Sequence, residues 1–147
     1  MAGRVEAIWL KRSVGGVMDG VPEATAVAEG GLEGDASFGR SSRQVTIIEK
    51  ETFDRVRARL PAAEPVMRRA NVMVSGLPLA GSTGRVLVLG EARVLVRGET
   101  RPCERMDAQC PGLRAALGPE WGGGAHGLVL EGGAIRVGDA ARLEPPA

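Results

Sequence analysis

Val86-Leu87-Val88-Leu89-Gly90-Glu91-Ala92-Arg93-Val94-Leu95-Val96 decides the fold, because two apolar runs flank a dipeptide that begins with glycine. That pattern predicts a β-hairpin closed by a type II′ turn, whose first central position favours glycine. Downstream, Gly127-Leu128-Val129-Leu130, Ile135-Arg136-Val137 and Ala141-Arg142-Leu143 are short apolar runs divided by Glu131-Gly132-Gly133 and Gly138-Asp139. Strands this short and this closely spaced predict an antiparallel sheet curled toward a barrel. Upstream, Val5 to Leu10 reads as a first strand, with Val5, Ala7 and Trp9 on one face and Ile8 and Leu10 on the other. The β-branched run from Arg43 to Glu49 predicts a buried strand, and Arg68 to Gly76 leads into another. Glu51 to Leu60 predicts a short helix, with Phe53, Val56 and Leu60 at helical spacing and Pro61 beyond its end. From Lys11 to Ser42 no period is sustained, and a connection that long in a small domain is functional or mobile. The expected fold is mainly β: a single β-barrel domain over residues 1–147, core about 5–143, with small helical insertions.

The chain has 147 residues, of which 44% are hydrophobic and 25% charged, a composition suited to one globular domain. A formal net charge of +1 gives no global attraction to nucleic acid or to a membrane, so electrostatic work must be local. Aromatic side chains are scarce and tyrosine is absent, which argues against a base-stacking, single-strand binder. No apolar run approaches the ~20 residues needed to span a bilayer and the first residues lack a signal-peptide pattern, so a cytoplasmic protein is expected. All but two of the 19 basic residues are arginine, whose planar fork suits phosphate and carboxylate. Cys103 and Cys110 are the only cysteines, too few for a disulfide framework or a four-ligand zinc site. Gly122 to Gly127 satisfies G-x-G-x-x-G, but that fingerprint requires a strand before it and a helix after it, and here a strand follows. His126 is the sole histidine, which excludes zinc motifs built on a histidine pair.

The chemistry-bearing stretch is Arg101-Pro102-Cys103-Glu104-Arg105-Met106, one thiol between two guanidinium groups just past a predicted strand. Positive charge beside a cysteine favours the thiolate, the form that attacks electrophiles and binds soft metals, while Glu104 pulls the other way, so the balance depends on which side chains face the sulfur. Pro102 disfavours helix at Arg101, which places the thiol on a stiff loop. The competing reading is a small buried hydrophobe, a common fate of cysteine. Gly30-Gly31-Leu32-Glu33-Gly34-Asp35 reads as a tight loop presenting an acid, with a solvated turn as the plainer alternative.

In this order the motifs resemble the MOSC domain, the family named for the C-terminal part of molybdenum cofactor sulfurases. The matching pieces are Gly31-Leu32-Glu33-Gly34-Asp35, Arg43-Gln44-Val45-Thr46-Ile47-Ile48, Arg69-Ala70-Asn71-Val72 with Ser75-Gly76-Leu77, and Pro102-Cys103-Glu104-Arg105-Met106. Gly123-Gly124 and Leu130 to Asp139 complete the set. The resemblance runs from about Val5 to Leu143 and implies a β-barrel with small helical insertions.

It also implies a molybdenum cofactor (molybdopterin) site. The family's expected cysteine falls on Cys103, as metal ligand or as carrier of a terminal sulfur. Gly34, Asp35, Arg43, Arg69, Asn71, Arg101, Arg105, Gly123 and Gly124 are the residues the resemblance places near the pterin and its phosphate, with Asp35 expected to order its loop. Relatives often carry a basic residue where this chain has Ala36 and an arginine where it has Gly122; Arg40, Arg68 and Arg101 are candidates to replace those charges. Three activities follow from the resemblance: sulfur transfer through a Cys103 persulfide, molybdenum-dependent reduction of N-hydroxylated substrates, and non-catalytic carriage of the cofactor. Pyridoxal phosphate chemistry would reside on a separate cysteine desulfurase, and a molybdoenzyme or electron-transfer proteins are the other expected partners.

Overall fold

The computed structural model describes residues 3–145. In chain order it contains β1 (Gly3–Lys11), β2 (Met18–Val21), β3 (Glu23–Val27), β4 (Gly31–Leu32), β5 (Val45–Glu49), α1 (Lys50–Arg59), β6 (Val72–Ser75), β7 (Val86–Leu89) and β8 (Ala92–Glu99). There follow α2 (Glu104–Gln109), α3 (Leu113–Ala116), β9 (Ala125–Glu131), β10 (Gly133–Arg136) and β11 (Ala140–Leu143). Single 3-10 turns cover Pro65–Arg68 and Pro119–Trp121.

The hairpin forms as expected: Val86 pairs with Leu95 and Leu89 with Ala92, and Gly90 takes φ +57° at the turn. Its strands belong to a sheet ordered β11-β7-β8-β9-β5-β6-β1, which closes on itself because β1 also pairs with β11. The result is a closed barrel of seven strands, with β2 added outside β1. Closure pairs strands that would otherwise stand as exposed edges, and β2 is left as an edge strand. The barrel pairs are antiparallel except β5 and β6, which run parallel. That exception follows from connectivity: parallel neighbours need a crossover of a dozen or more residues, usually helical, and α1 supplies it.

The first strand departs from simple alternation. Val5, Ile8 and Leu10 are all buried, because the register with β6 shifts between Val5 and Ala7. A β-bulge adds one residue and reverses which side chains face inward beyond it. The segment from Lys11 to Ser42 is also more ordered than its sequence suggests, since β2 extends β1 while β3 pairs with β4 and β10.

Two cores result. One fills the barrel, with Val5, Ile8, Val45, Ile47, Val72, Val94 and Val129 among its members. The other lies outside the barrel wall, where Ile48, Phe53, Val56, Met106, Cys110, Leu113 and Leu117 pack under the helices. Val45 and Ile47 face the barrel interior, whereas Ile48 belongs to the outer core and Thr46 to the outer surface beside it. No helix is long and apolar enough to cross a membrane among the described residues.

Candidate functional site

The lumen of the barrel is filled by side chains, so ligand chemistry belongs on its outer wall. There the outward face of β5, the last residue of β1, the Asp35 loop, the residues before β6 and the loop after β8 enclose a cleft of about 320 Å³. Its floor is a hydrogen-bonded knot. Asn71 is buried and accepts through Oδ1 from the Thr46 N–H at 3.1 Å and the Thr46 hydroxyl at 3.2 Å. Its amide nitrogen donates to the Trp9 carbonyl at 3.2 Å and to Asp35 Oδ1 at 3.0 Å. Asp35, also buried, accepts in addition from the backbone N–H groups of Lys11 at 2.8 Å and Ser37 at 3.0 Å. Its carboxylate is therefore spent inward on fixing the loop.

Cations form the walls. Lys11, Arg40, Arg43, Arg68, Arg69, Arg101 and Arg105 all line the cleft, and Asp35 is the one carboxylate among its lining residues. Arg69 adopts φ +61° and donates to the Gly16 carbonyl at 2.6 Å, which tethers the β1–β2 loop. Arg68 donates from Nε to the Gly123 carbonyl at 2.8 Å and from its terminal nitrogen to the Thr100 carbonyl at 3.4 Å. Burial pushes the Arg68 pKa below the usual guanidinium range, opposed by Cys103 and reinforced by Arg43. Burial likewise pushes Lys11 down; Asp35 opposes this, while Arg69, Arg40 and Arg105 add to it. The side chains of Arg40, Arg43 and Arg105 make no hydrogen bond or ion pair among the described residues. Arg101 only approaches Glu99, at 4.0 Å.

Cys103 is exposed, in extended backbone at the N-terminal boundary of α2 and on the cleft lining. The reading of a buried hydrophobe belongs instead to Cys110, which packs in the outer core. His126 does not line the cleft; its Nδ1 lies 3.3 Å from the Thr100 hydroxyl.

The structure thus brings together Asp35, Arg43, Arg69, Asn71, Arg101, Cys103 and Arg105, and separates three glycines from them. Gly34 is exposed, and a Cβ there would meet the Arg12 guanidinium at 2.6 Å. Gly123 and Gly124 are buried behind the thiol loop, where close backbone approach excludes any side chain. A Cβ on Gly123 would lie 2.2 Å from the Thr100 carbonyl, and one on Gly124 would lie 2.1 Å from that of Ile47. Gly122 excludes an arginine for the same reason, since a Cβ would meet the Leu117 carbonyl at 2.4 Å. Arg68 brings its charge to this corner from the 3-10 turn before β6. Sequence reasoning did not assign Lys11, Thr46 or Thr100 to the site; the available signal was the place of Lys11 and Thr46 on strands flanking the Asp35 loop and of Thr100 just past the end of β8, before Cys103.

The fold and the site define a β-barrel protein with a thiol set in an arginine-lined cleft on its outer wall. The MOSC domain model matches residues 33–142, and the chain belongs to that family, which is associated with the molybdenum cofactor. No curated protein matches the chain. Among solved structures, the YuaD protein from Bacillus subtilis superposes with a TM-score of 0.81 at 22% identity, covering 97% of this chain and 96% of that one. YiiM from Geobacillus stearothermophilus gives 0.76 at 18% identity, covering 97% of this chain and 75% of that one. YiiM from Escherichia coli gives 0.71 at 18% identity, covering 98% of this chain and 71% of that one. These likenesses establish the barrel fold.

The cofactor fits the donor set. A soft thiol suits a sulfur-rich metal centre. Arginines without protein carboxylates to pair with suit a phosphate, which accepts paired N–H bonds from a guanidinium fork.

Proposed function

We propose that this protein binds the molybdenum cofactor in the cleft and transfers sulfur to or from it through Cys103. The carrying observation is an exposed thiol on a cleft lined by seven cationic side chains whose one carboxylate is engaged inward. Taking several charges of one sign into a shared hollow is unfavourable by itself, and an anionic ligand relieves it. When bound, the cofactor would supply a molybdenum centre and a phosphate-bearing pterin. Arg43, Arg69 and Arg105 have the reach to hold the anion, with Arg68 behind them as a fixed charge. Asp35 and Asn71 position the floor and do not bind directly, because their polar atoms already have partners. Cys103 then holds the metal or carries sulfane sulfur.

One preparation, analysed for molybdenum, pterin and sulfane sulfur in wild type and Cys103→Ala, tests the proposal. Sulfane sulfur lost in Cys103→Ala, with pterin retained, is the expected result. Molybdenum bound one to one and lost in the variant selects metal ligation. In that case turnover of a hydroxylamine-type substrate with an artificial reductant marks a reductase and its absence a carrier. A protein that takes up neither pterin, metal nor sulfur overturns the reading.

A further inference from the structure

The thiol segment has two sides. Along the stretch from Glu99 to Cys103, Thr100 and Cys103 line the cationic cleft, whereas Glu99 and Pro102 line a second pocket of about 560 Å³. Since both hollows draw lining from this one segment, it acts as a partition between them. Arg101 borders both pockets. The division continues into α2, where Met106 faces the cleft and Asp107 the second pocket. Pro102, which lines the second pocket, directly precedes Cys103 in the chain. The second pocket thus borders the segment that carries the exposed thiol.

The two pockets differ in charge. Against the cationic cleft, the second pocket sets Glu99 and Asp107 beside Arg101 and Arg114. Asp107 Oδ1 is pinned by the N–H groups of Gly112 at 3.2 Å and Arg114 at 3.1 Å, which fixes its orientation. Glu99 and Arg101 approach only to 4.0 Å, a loose pair that holds little energy against a ligand offering closer contacts. Balanced carboxylates and guanidinium groups complement a zwitterion, an ammonium toward the acids and a carboxylate toward the arginines. The volume falls within the ~300–1,000 Å³ range of small-molecule sites.

We propose that this second pocket binds the α-amino-acid end of a small persulfide, free cysteine persulfide or a short peptide carrying it, and presents its outer sulfur to Cys103. The inference rests on the sulfur-transfer reading. The Cys103 thiolate attacks the outer sulfur of R–S–SH; a new S–S bond forms at Cys103, the donor S–S bond breaks, and RS⁻ leaves with the electron pair. Sulfane sulfur changes carrier without net oxidation, and the outer sulfur keeps its proton. Two ligands of different charge, one polyanionic and one zwitterionic, would then meet at one thiol from opposite sides of one loop.

The test follows the gain of one sulfur atom at Cys103 by intact mass, with cysteine persulfide and with the uncharged persulfide of 2-mercaptoethanol as donors. Wild type is expected to saturate with cysteine persulfide and to prefer it at least about tenfold at limiting concentration. Arg114→Glu and Glu99→Gln should bring the ratio of the two rates toward one, whereas Arg57→Glu, on the wet face of α1, should leave it unchanged. Equal, unsaturable rates in wild type overturn the inference and leave the sulfur-transfer reading standing. Where Cys103 takes sulfur from neither donor, that reading fails, and calorimetry with S-methylcysteine decides the pocket. Binding lost in Arg114→Glu supports a zwitterion site, and no binding to wild type overturns it.

Discussion

At the residue scale the cleft depends on groups that touch no ligand. Asn71 joins β1, β5 and the Asp35 loop through four side-chain hydrogen bonds. Asn71→Ala would leave the Thr46 N–H and one Asp35 oxygen short of a partner in a buried place, where each lost partner costs ~1–3 kcal/mol. The expected loss is about 3 kcal/mol of unfolding free energy by urea denaturation; a loss below about 0.5 kcal/mol would show the knot is not holding the floor. His126 gives a pH signature. Burial holds its pKa below the usual 6.5, and Arg43 and Arg97 add to the effect. The folded chain therefore resists protonation more than the unfolded one. This contribution is complete above pH 6.5 and is lost as pH falls from there through the lowered folded-state value. Urea midpoints for wild type and His126→Gln should diverge in that window, wild type falling more steeply toward acid. Parallel profiles would assign the acid sensitivity to other groups.

Among the elements, the thiol loop is shaped by its contact with Gly123 as much as by its own residues. Adding a methyl in Gly123→Ala places it 2.2 Å from the Thr100 carbonyl and 3.0 Å from the Pro102 ring, so the loop has to move. Overpacking of this kind costs ~1–3 kcal/mol. The same variant should change the rate of Cys103 alkylation by iodoacetamide, whereas Gly20→Ala, with 3.7 Å to the nearest atom, should alter neither quantity. An unchanged alkylation rate would show that the loop holds its shape without this contact. These contacts also explain what the sequence made legible. The hairpin around Gly90 and the helix of Phe53 and Val56 could be read because period and turn residues are local signals. The bulge in β1 could not, since it is a register relation to β6, a strand far along the chain. The thiol and the arginine pair before β6 were legible as chemistry. Their convergence was not, because Arg68 meets Thr100 and Gly123 only after the barrel closes. Gly123 and Gly124 were placed by the resemblance alone, and their close backbone approach to Thr100 and Ile47 is visible only in the fold.

For the whole molecule, charge is distributed unevenly enough to predict a response to salts. The formal net charge is only +1, yet the cleft gathers seven cations around one inward-turned carboxylate, so the remaining surface is net acidic. Mutual repulsion in the cleft works against the folded chain, and an anion that fits there binds the folded state alone. Simple screening acts on every exposed charge, weakening attractions on the acidic surface as well as repulsions in the cleft. A multivalent anion acts in one place. Inorganic pyrophosphate at a hundred times its Kd should stabilise the fold by about 2.7 kcal/mol, which corresponds to about 5–10 °C in Tm for a chain of this length. Sodium chloride at matched ionic strength should not reproduce it. Arg43→Met combined with Arg69→Met should remove most of the pyrophosphate shift while keeping the response to sodium chloride, because both side chains border the cleft. Equal shifts from the two salts, or a full pyrophosphate shift in the double variant, would mean that the arginines converge in space without forming an anion site, and the cofactor reading would lose its electrostatic basis.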